Sequence, residues 1–238
     1  MAKLAEEIEK SDVSYVVDVG FDLESSVTAA GHAEKYNWCY AAVGFHPHDA
    51  KKMEETDLSM IKALAAKPKV VAIGEAGLDF YRDLSPRDVQ RDCFRKQIRL
   101  AAELKMPLVV HSRDADEETM KILKEEEAFS QIKVLLHCYS GSSELAKLYI
   151  KLGAMISMAG PITYNNARKN VEVVEKIPIE CLLIETDAPY LTPEPFRGKT
   201  NKVWYVEYTA RKIAEIKRLS YEEAARITCE NAKRFYGI

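Results

Sequence analysis

Four side chains of the kinds that bind metal ions each follow a short apolar segment of the sequence. In chain order they are Glu75 after residues 70–74, His111 after residues 108–110, His137 after residues 134–136, and Asp187 after the segment that begins at residue 182. Short apolar segments rich in β-branched residues are typical of strands that are buried on both faces. If these strands are parallel neighbours, their C-terminal ends meet at one edge and bring the four side chains together. Two imidazoles and two carboxylates suit zinc, manganese or another divalent ion, and with water in the open positions they suit hydrolysis.

Each of these residues also has a simpler interpretation, because an ionisable residue at a strand end can cap a helix or satisfy loop amides. The coincidence of four favours a shared site, since buried apolar strands rarely end in ionisable residues without a partner. The predicted catalytic residues are Asp187 and Glu75, and Asp187 can both ligate a metal and accept a proton from water. Three cations, Arg113, Arg197 and Lys199, are available to neutralise a phosphate, with ordinary surface charge as the alternative.

The segments that position these residues alternate between strand and helix along the whole chain. Seven strands are expected, at residues 13–19, 39–45, 70–74, 107–111, 134–137, 154–158 and 181–186. A helix between consecutive strands requires parallel pairing with right-handed crossovers. A closed barrel of this kind has eight strands, and its chemistry collects at their C-terminal ends. We therefore predict an α/β fold, a TIM (β/α)8-type barrel lacking its first strand. Because no Gly/Ser/Pro-rich linker divides the chain, we predict a single domain over residues 1–238.

Charge and cysteine content limit the class of protein. The formal net charge of −3 gives no general attraction to nucleic acid or acidic membranes, so binding of a polyanion depends on a local basic patch. The five cysteines are scattered and lack a C-x-x-C pair, which argues against a disulfide scaffold and fits a reducing cytoplasm. Cys93 falls on the apolar stripe of a helix, so we predict a core residue and not a nucleophile.

No apolar run is long enough for a membrane span, and the first ten residues are too polar for a signal peptide. We expect a cytoplasmic protein with no membrane partner.

Five short motifs, in this order along the chain, carry a family resemblance. They are residues 44–48 (GFHPH), 74–79 (GEAGLD), 110–115 (VHSRDA), 137–141 (HCYSG) and 185–191 (ETDAPYL), with residues 231–237 (NAKRFYG) near the C-terminus. Together they resemble the signature series of TatD-type metal-dependent deoxyribonucleases over nearly the whole chain. The resemblance implies an amidohydrolase-like TIM barrel that cleaves DNA phosphodiester bonds with a metal-activated water.

The resemblance also implies the residues of the site. The metal ligands correspond to Glu75, His111, His137 and Asp187, and the family binds up to two divalent ions, which can be zinc, manganese or magnesium. The residues expected to contact the DNA substrate are His48, Arg113, Arg197 and Asn201. His46 and His48 flank Pro47 just past a strand end, and this position independently suggests a role in the site, with ordinary loop polarity as the alternative.

Two departures from the family pattern limit the expected activity. The family's first strand carries an Asp-x-His-x-His motif with two further ligands, and this sequence has no such motif. The family also usually has a proline near the position of Val203. We therefore expect at most one well-held metal, contributed mainly by Glu75, His111 and His137, and reduced nuclease activity or none. Two other hypotheses stay open: a related hydrolase acting on a small ester or amide, and a non-catalytic barrel that binds a partner. The sequence leaves open the oligomeric state, the preference for DNA or RNA, and exonuclease against endonuclease action.

Overall fold

The computed structural model describes residues 2–238. In chain order the helices and strands are α1 (Ala2–Glu9), β1 (Val16–Val19), α2 (Leu23–Lys35), β2 (Cys39–Val43), α3 (Asp57–Ala65), β3 (Val70–Asp79), α4 (Arg87–Leu104), β4 (Leu108–Arg113), α5 (Asp116–Glu125), α6 (Ala128–Gln131), β5 (Val134–Leu136), α7 (Ser143–Lys151), β6 (Met155–Met158), α8 (Arg168–Lys176), β7 (Leu182–Ile184), α9 (Val206–Lys217) and α10 (Tyr221–Tyr236). The described residues therefore contain seven strands, as the sequence predicts.

These residues divide into two compact units. Unit one comprises residues 17–137, 152–154 and 235–238, and unit two comprises residues 2–16, 138–151 and 155–234. The single domain over residues 1–238 stays a prediction. Along the part of the chain that the structure describes, every helix falls short of the length and apolarity needed to cross a membrane.

Unit one consists of parallel strands that alternate with helices. β2 pairs with β3, β3 with β4, and β4 with β5, each in parallel, and β1 lies beside β2. The strand side chains form an apolar core, in which Ile73, Val110 and Leu136 are all buried. Parallel pairing of consecutive strands through helices is the β/α alternation that the sequence predicts.

Two glycines allow β3 to lie unusually close to β4. Gly74 and Gly77 have φ angles of +136° and +148°, which side chains with L configuration rarely adopt. A Cβ atom on Gly77 would lie 2.0 Å from the carbonyl oxygen of His111, and one on Gly74 would lie 2.6 Å from that of Val109. The glycines are therefore required by contact between the two backbones, and they set the spacing of the strands that carry Glu75 and His111.

β3 is longer than the sequence predicts. We expected the strand to end at Gly74 with Glu75 directly after it, but the strand continues to Asp79, so Glu75 lies in its middle. The glycine serves close strand packing here and does not terminate the strand. The region after β2 also differs from the expected loop, because residues 47–52 form a 3₁₀ helix that Pro47 begins.

Helix α4 packs a mixed apolar and polar face against the strands. Cys93 is 2% exposed, which confirms the predicted core position, and burial raises the pKa of its thiol to about 12. Gln90 and Gln97 on the same helix are also buried, although polar side chains of this size are mostly found at the surface. Both amides bond to the backbone near the functional side chains described below.

Unit two contains β6 and β7, which pair in parallel with Ile156 opposite Leu182 and Met158 opposite Ile184. Asn231, on α10, is 1% exposed and donates both of its amide hydrogens, to Ile179 O and Leu182 O, at 2.7 Å each. The C-terminal helix is thus fixed to the start of β7 by a fully satisfied buried amide.

Candidate metal centre

One carboxylate oxygen of unit one has three imidazoles around it. Oε1 of Glu75 lies 2.8 Å from Nδ1 of His111, 3.7 Å from Nε2 of His137 and 3.8 Å from Nε2 of His46. Glu75 comes from β3, His111 from β4, and His137 follows β5 directly. The structure therefore brings together three of the four predicted ligands and adds His46, whose side chain is 12% exposed.

A second carboxylate, Asp79, lies behind this cluster and is completely buried. Its Oδ2 accepts hydrogen bonds from Nε2 of His48 at 2.8 Å and from Nε2 of His111 at 3.1 Å. Its Oδ1 accepts from the backbone N–H groups of Tyr81 at 3.0 Å and Arg82 at 2.7 Å. Asp79 therefore holds two imidazoles in place and has every strong acceptor position occupied.

Sequence reasoning did not single out Asp79 as a site residue, although it belongs to the quoted 74–79 motif. The signal that could have found it is strand periodicity. Glu75 and Asp79 are four residues apart, and side chains at even spacing on a strand point to the same face. That argument requires β3 to continue past Gly74, which the sequence reading did not assume.

The electrostatics of the cluster favour positive charge beside Glu75. Burial alone raises the pKa of the Glu75 carboxyl, but the nearby His137 and the hydrogen bond from His111 outweigh burial and hold that pKa far below its usual range. Burial also opposes protonation of His111, yet its hydrogen bonds with Asp79 and Glu75 raise its pKa to about 9. In contrast, burial lowers the pKa of His46 to about 4. The pKa of Asp79 is lowered despite its burial, because His111, the Arg82 amide and His48 all donate to it.

The two buried glutamines of α4 fix the backbone from which these side chains extend. Oε1 of Gln97 accepts from Phe45 N at 2.8 Å, and its Nε2 donates to Phe45 O at 2.9 Å. Gln90 makes the same pair of contacts with Asp79, accepting from its N–H at 2.9 Å and donating to its C=O at 3.3 Å. Each glutamine thus supplies the two hydrogen bonds that a neighbouring strand would otherwise make with the backbone of Phe45 or Asp79.

The chemistry of these donors fits a divalent cation. A carboxylate with several imidazoles is a common ligand set for zinc and related ions, and His46, Glu75 and His111 place one donor atom each within 4.8 Å of the others. The hydrogen bond from His111 Nε2 to Asp79 leaves Nδ1 directed at Glu75, an arrangement in which a carboxylate orients a ligating imidazole. His111 with Asp79 behind it therefore meets the requirement for a well-oriented ligand.

The remaining predicted site residues lie in unit two, apart from Arg113. Asp187 follows β7 with a φ of +56° and is partly exposed. The Arg197 guanidinium lies 4.2 Å from the centre of the Tyr164 ring and is exposed. Because Asp187 belongs to unit two, its convergence with Glu75 stays a prediction, and so does the contact of Arg197 with substrate.

Asn201 has a structural role in its own loop. It is 4% exposed, and its amide donates to Thr186 O at 2.7 Å and Tyr190 O at 2.6 Å. These bonds tie the long segment after β7 back onto its beginning. A role of Asn201 in contacting substrate stays a prediction, and the hydrogen bonds show that the side chain shapes the loop.

Arg113 ends β4 in unit one, where its guanidinium lies 3.9 Å from the centre of the exposed Tyr81 ring. That distance is typical of a cation–π contact, which leaves the guanidinium edge available for an anion.

In unit two, Glu185 is a further carboxylate that the sequence analysis did not assign. Its Oε1 accepts from Cys138 N and from Ser157 Oγ at 2.7 Å each, and it thereby fixes the turn that begins at Cys138.

The chain is similar in sequence and in fold to known proteins. Residues 1–237 match the family model described as TatD related DNase. A Bacillus subtilis (strain 168) protein named "Uncharacterized metal-dependent hydrolase YabD" is 48% identical over 238 residues, which cover 100% of this chain and 93% of that protein. The "3'-5' ssDNA/RNA exonuclease TatD" of Shigella flexneri serotype 5b (strain 8401) is 35% identical over 235 residues, covering 95% and 88% of the two chains. The crystal structure of YJJV, a TatD homolog from Escherichia coli K12, matches with a TM-score of 0.92 and 27% identity, covering 100% of this chain and 92% of that one.

These matches confirm the predicted α/β fold of the TIM-barrel type and the predicted resemblance. They also agree with a site that holds a divalent metal. Because the family model matches residues 1–237 and both relatives are at least 35% identical, the chain belongs to the TatD-related DNase family.

Proposed function

We propose that this TatD-type metal-dependent hydrolase cleaves phosphodiester bonds of DNA at the cluster around Glu75. The observation that carries the proposal is the approach of the His46, His111 and His137 imidazoles to Oε1 of Glu75, with buried Asp79 behind His111. The name of the Shigella relative, an exonuclease acting on single-stranded DNA and RNA, supports nucleic acid as the substrate class.

Glu75, His111 and His137 are the proposed ligands in unit one, and Asp187 is the proposed fourth ligand. A bound divalent cation supplies a coordinated water of lowered pKa and a Lewis acid for the phosphoryl oxygen. Zinc or manganese suits this nitrogen-rich donor set better than magnesium does. We propose at most one well-held cation, because the sequence lacks the Asp-x-His-x-His ligands.

The other proposed roles belong to two carboxylates and two arginines. Asp187 and Glu75 are the proposed catalytic carboxylates, with Asp187 accepting the proton of the attacking water. Arg113 and Arg197 each have a guanidinium stacked on a tyrosine, and both are proposed to bind phosphates of the substrate. The scattered cysteines and the absence of a C-x-x-C pair remain our reason for proposing the cytoplasm as the location.

The test is cleavage of a labelled single-stranded DNA oligonucleotide under enzyme excess, so that weak activity is also detected. Chelator-treated protein should be inactive, and added Mn²⁺ or Zn²⁺ should restore cleavage. Glu75→Gln should remove the activity, whereas Glu55→Gln, at an exposed loop position, should keep it. Hydrolysis of p-nitrophenyl esters without cleavage of DNA would favour a hydrolase of small esters instead. Stoichiometric metal with neither activity would contradict the proposal.

A further inference from the structure

The imidazole of His46 caps the 3₁₀ helix that follows it. Its Nδ1 accepts a hydrogen bond from the backbone N–H of His48 at 3.1 Å, across the turn that Pro47 begins. A nitrogen that accepts a hydrogen bond has its lone pair directed at the donor, so it carries no proton of its own. Because a neutral imidazole has one N–H, the proton of His46 lies on Nε2.

Nε2 is the nitrogen of His46 that faces the cluster. It lies 3.3 Å from Nδ1 of His111 and 3.8 Å from Oε1 of Glu75. His46 is close enough to these atoms to complete a three-residue metal site. However, the nitrogen that it presents there carries a hydrogen and has no free lone pair for a metal ion.

The orientation of the His46 ring is fixed from several sides. The backbone N–H of His46 donates to Phe21 O at 2.9 Å, and its carbonyl accepts from Asp49 N at 2.9 Å. The ring packs edge-on against the rings of His48 and His111, with centroid distances of 4.3 and 4.4 Å. Turning the ring over would place a carbon atom against the His48 N–H and remove the cap. The same bond therefore selects both the rotamer and the tautomer.

We infer that His46 is a neutral hydrogen-bond donor and not a metal ligand: its Nε2–H faces the cluster, within hydrogen-bond distance of Nδ1 of His111, and is donated to a phosphoryl oxygen of the scissile bond once substrate binds. This inference rests on the proposed function for the identity of the substrate, but the tautomer and the absence of ligation do not depend on it. A donor aimed at a developing negative charge typically contributes a factor of about 10²–10³ to the rate.

Two substitutions separate the two nitrogens of the ring. His46→Asn keeps an acceptor near the position of Nδ1, where asparagine commonly caps a helix, and removes the Nε2–H. His46→Gln places an amide N–H near the position of Nε2 and gives up the cap. His111→Asn, which removes a proposed ligand, is the reference for loss of metal.

The first readout is affinity for Zn²⁺, measured by competition with a chromophoric chelator and independent of activity. We expect His46→Asn and His46→Gln to bind Zn²⁺ within about twofold of the parent protein, whereas His111→Asn loses roughly 10–100-fold or more. If the protein cleaves DNA, kcat/KM should fall about 10²–10³-fold in His46→Asn and recover in part in His46→Gln. A loss of Zn²⁺ affinity in His46→Asn equal to that in His111→Asn would overturn the inference.

The second readout is the tautomer itself. Long-range ¹H–¹⁵N correlation spectra of protein labelled at its five histidines should show His46, assigned from the His46→Asn variant, protonated at Nε2 before and after addition of Zn²⁺. A proton on Nδ1, or a metal-dependent shift of Nε2 to that of a ligating nitrogen, would overturn the inference even if the protein cleaves DNA. Failure of DNA cleavage with an unchanged Nε2–H tautomer would contradict the proposed function alone.

Discussion

Replacing Asp79 with asparagine should weaken metal binding although Asp79 is not itself a proposed ligand. The asparagine oxygen can keep the bonds from Tyr81 N and Arg82 N, which Oδ1 accepts at 3.0 and 2.7 Å. Its NH₂ group then takes the place of Oδ2, which lies 3.1 Å from Nε2 of His111 and 2.8 Å from Nε2 of His48. An NH₂ group must donate at this position, so Nε2 of His111 must accept, and the single proton of the neutral imidazole lies on Nδ1, the nitrogen that faces Glu75.

A proton on Nδ1 of His111 blocks the lone pair that would bind the metal. Loss of a carboxylate that orients a ligating histidine typically costs 10–100-fold in metal affinity, which corresponds to about 1.4–2.7 kcal/mol. Chelator competition with Zn²⁺ measures this difference directly, and a thermal melt of the metal-free protein verifies that the variant is folded. Asp83→Asn is the matched control: Asp83 lies four residues further along the same chain segment, is exposed and pairs with Arg87 at 3.0 Å. An Asp79→Asn protein with the affinity of the parent would refute this role of Asp79.

Two further predictions concern packing and thiol reactivity. Gln97→Met should lower the free energy of unfolding by about 2–4 kcal/mol, because it leaves the N–H and C=O of Phe45 without their hydrogen-bond partners. The control Gln131→Met, at an exposed position, should change the free energy of unfolding by less than about 0.5 kcal/mol. Urea denaturation measures both variants, and equal midpoints would contradict the role of Gln97. Because the pKa of Cys93 is raised to about 12, the thiolate fraction of Cys93 is small at pH 8 and increases only as the pH approaches 12. Iodoacetamide should therefore alkylate exposed Cys229 at least about a thousandfold faster than Cys93 in the native protein. Mass spectrometry of peptides measures the two rates, and in urea they should become similar; equal rates without urea would contradict the burial of Cys93.

The sequence was sufficient to predict the seven strands, since each strand carries a short apolar segment, but it did not predict α6 or the 3₁₀ helix over residues 47–52. It also placed Glu75, His111 and His137 in one site, because parallel neighbouring strands bring residues from their C-terminal parts together, even though β3 continues four residues beyond Glu75. The sequence did not predict hydrogen bonds between residues that are far apart along the chain. Gln97 bonds to Phe45 across 52 residues, and an apolar stripe does not reveal which backbone group a buried amide will meet.

The predicted end of β3, at Gly74, was wrong for a different physical reason. A glycine inside a strand pattern indicates either a termination or a close approach of two backbones, and the local sequence does not distinguish them. A strand that ends at Gly74 does not include Asp79, so the sequence did not indicate that Asp79 shares a face of β3 with Glu75. The tautomer of His46 was also beyond the sequence, because it depends on which nitrogen of the ring meets the His48 amide.

The close approach of β3 to β4 limits which substitutions this protein can accept over evolution. Most strand positions tolerate drift among residues of similar size, but at Gly77 even a methyl group would collide with the peptide that carries His111. A substitution there would push the His111 peptide away from β3 and would move the imidazole with it. The position of one imidazole thus depends on a residue of the neighbouring strand that has no side chain.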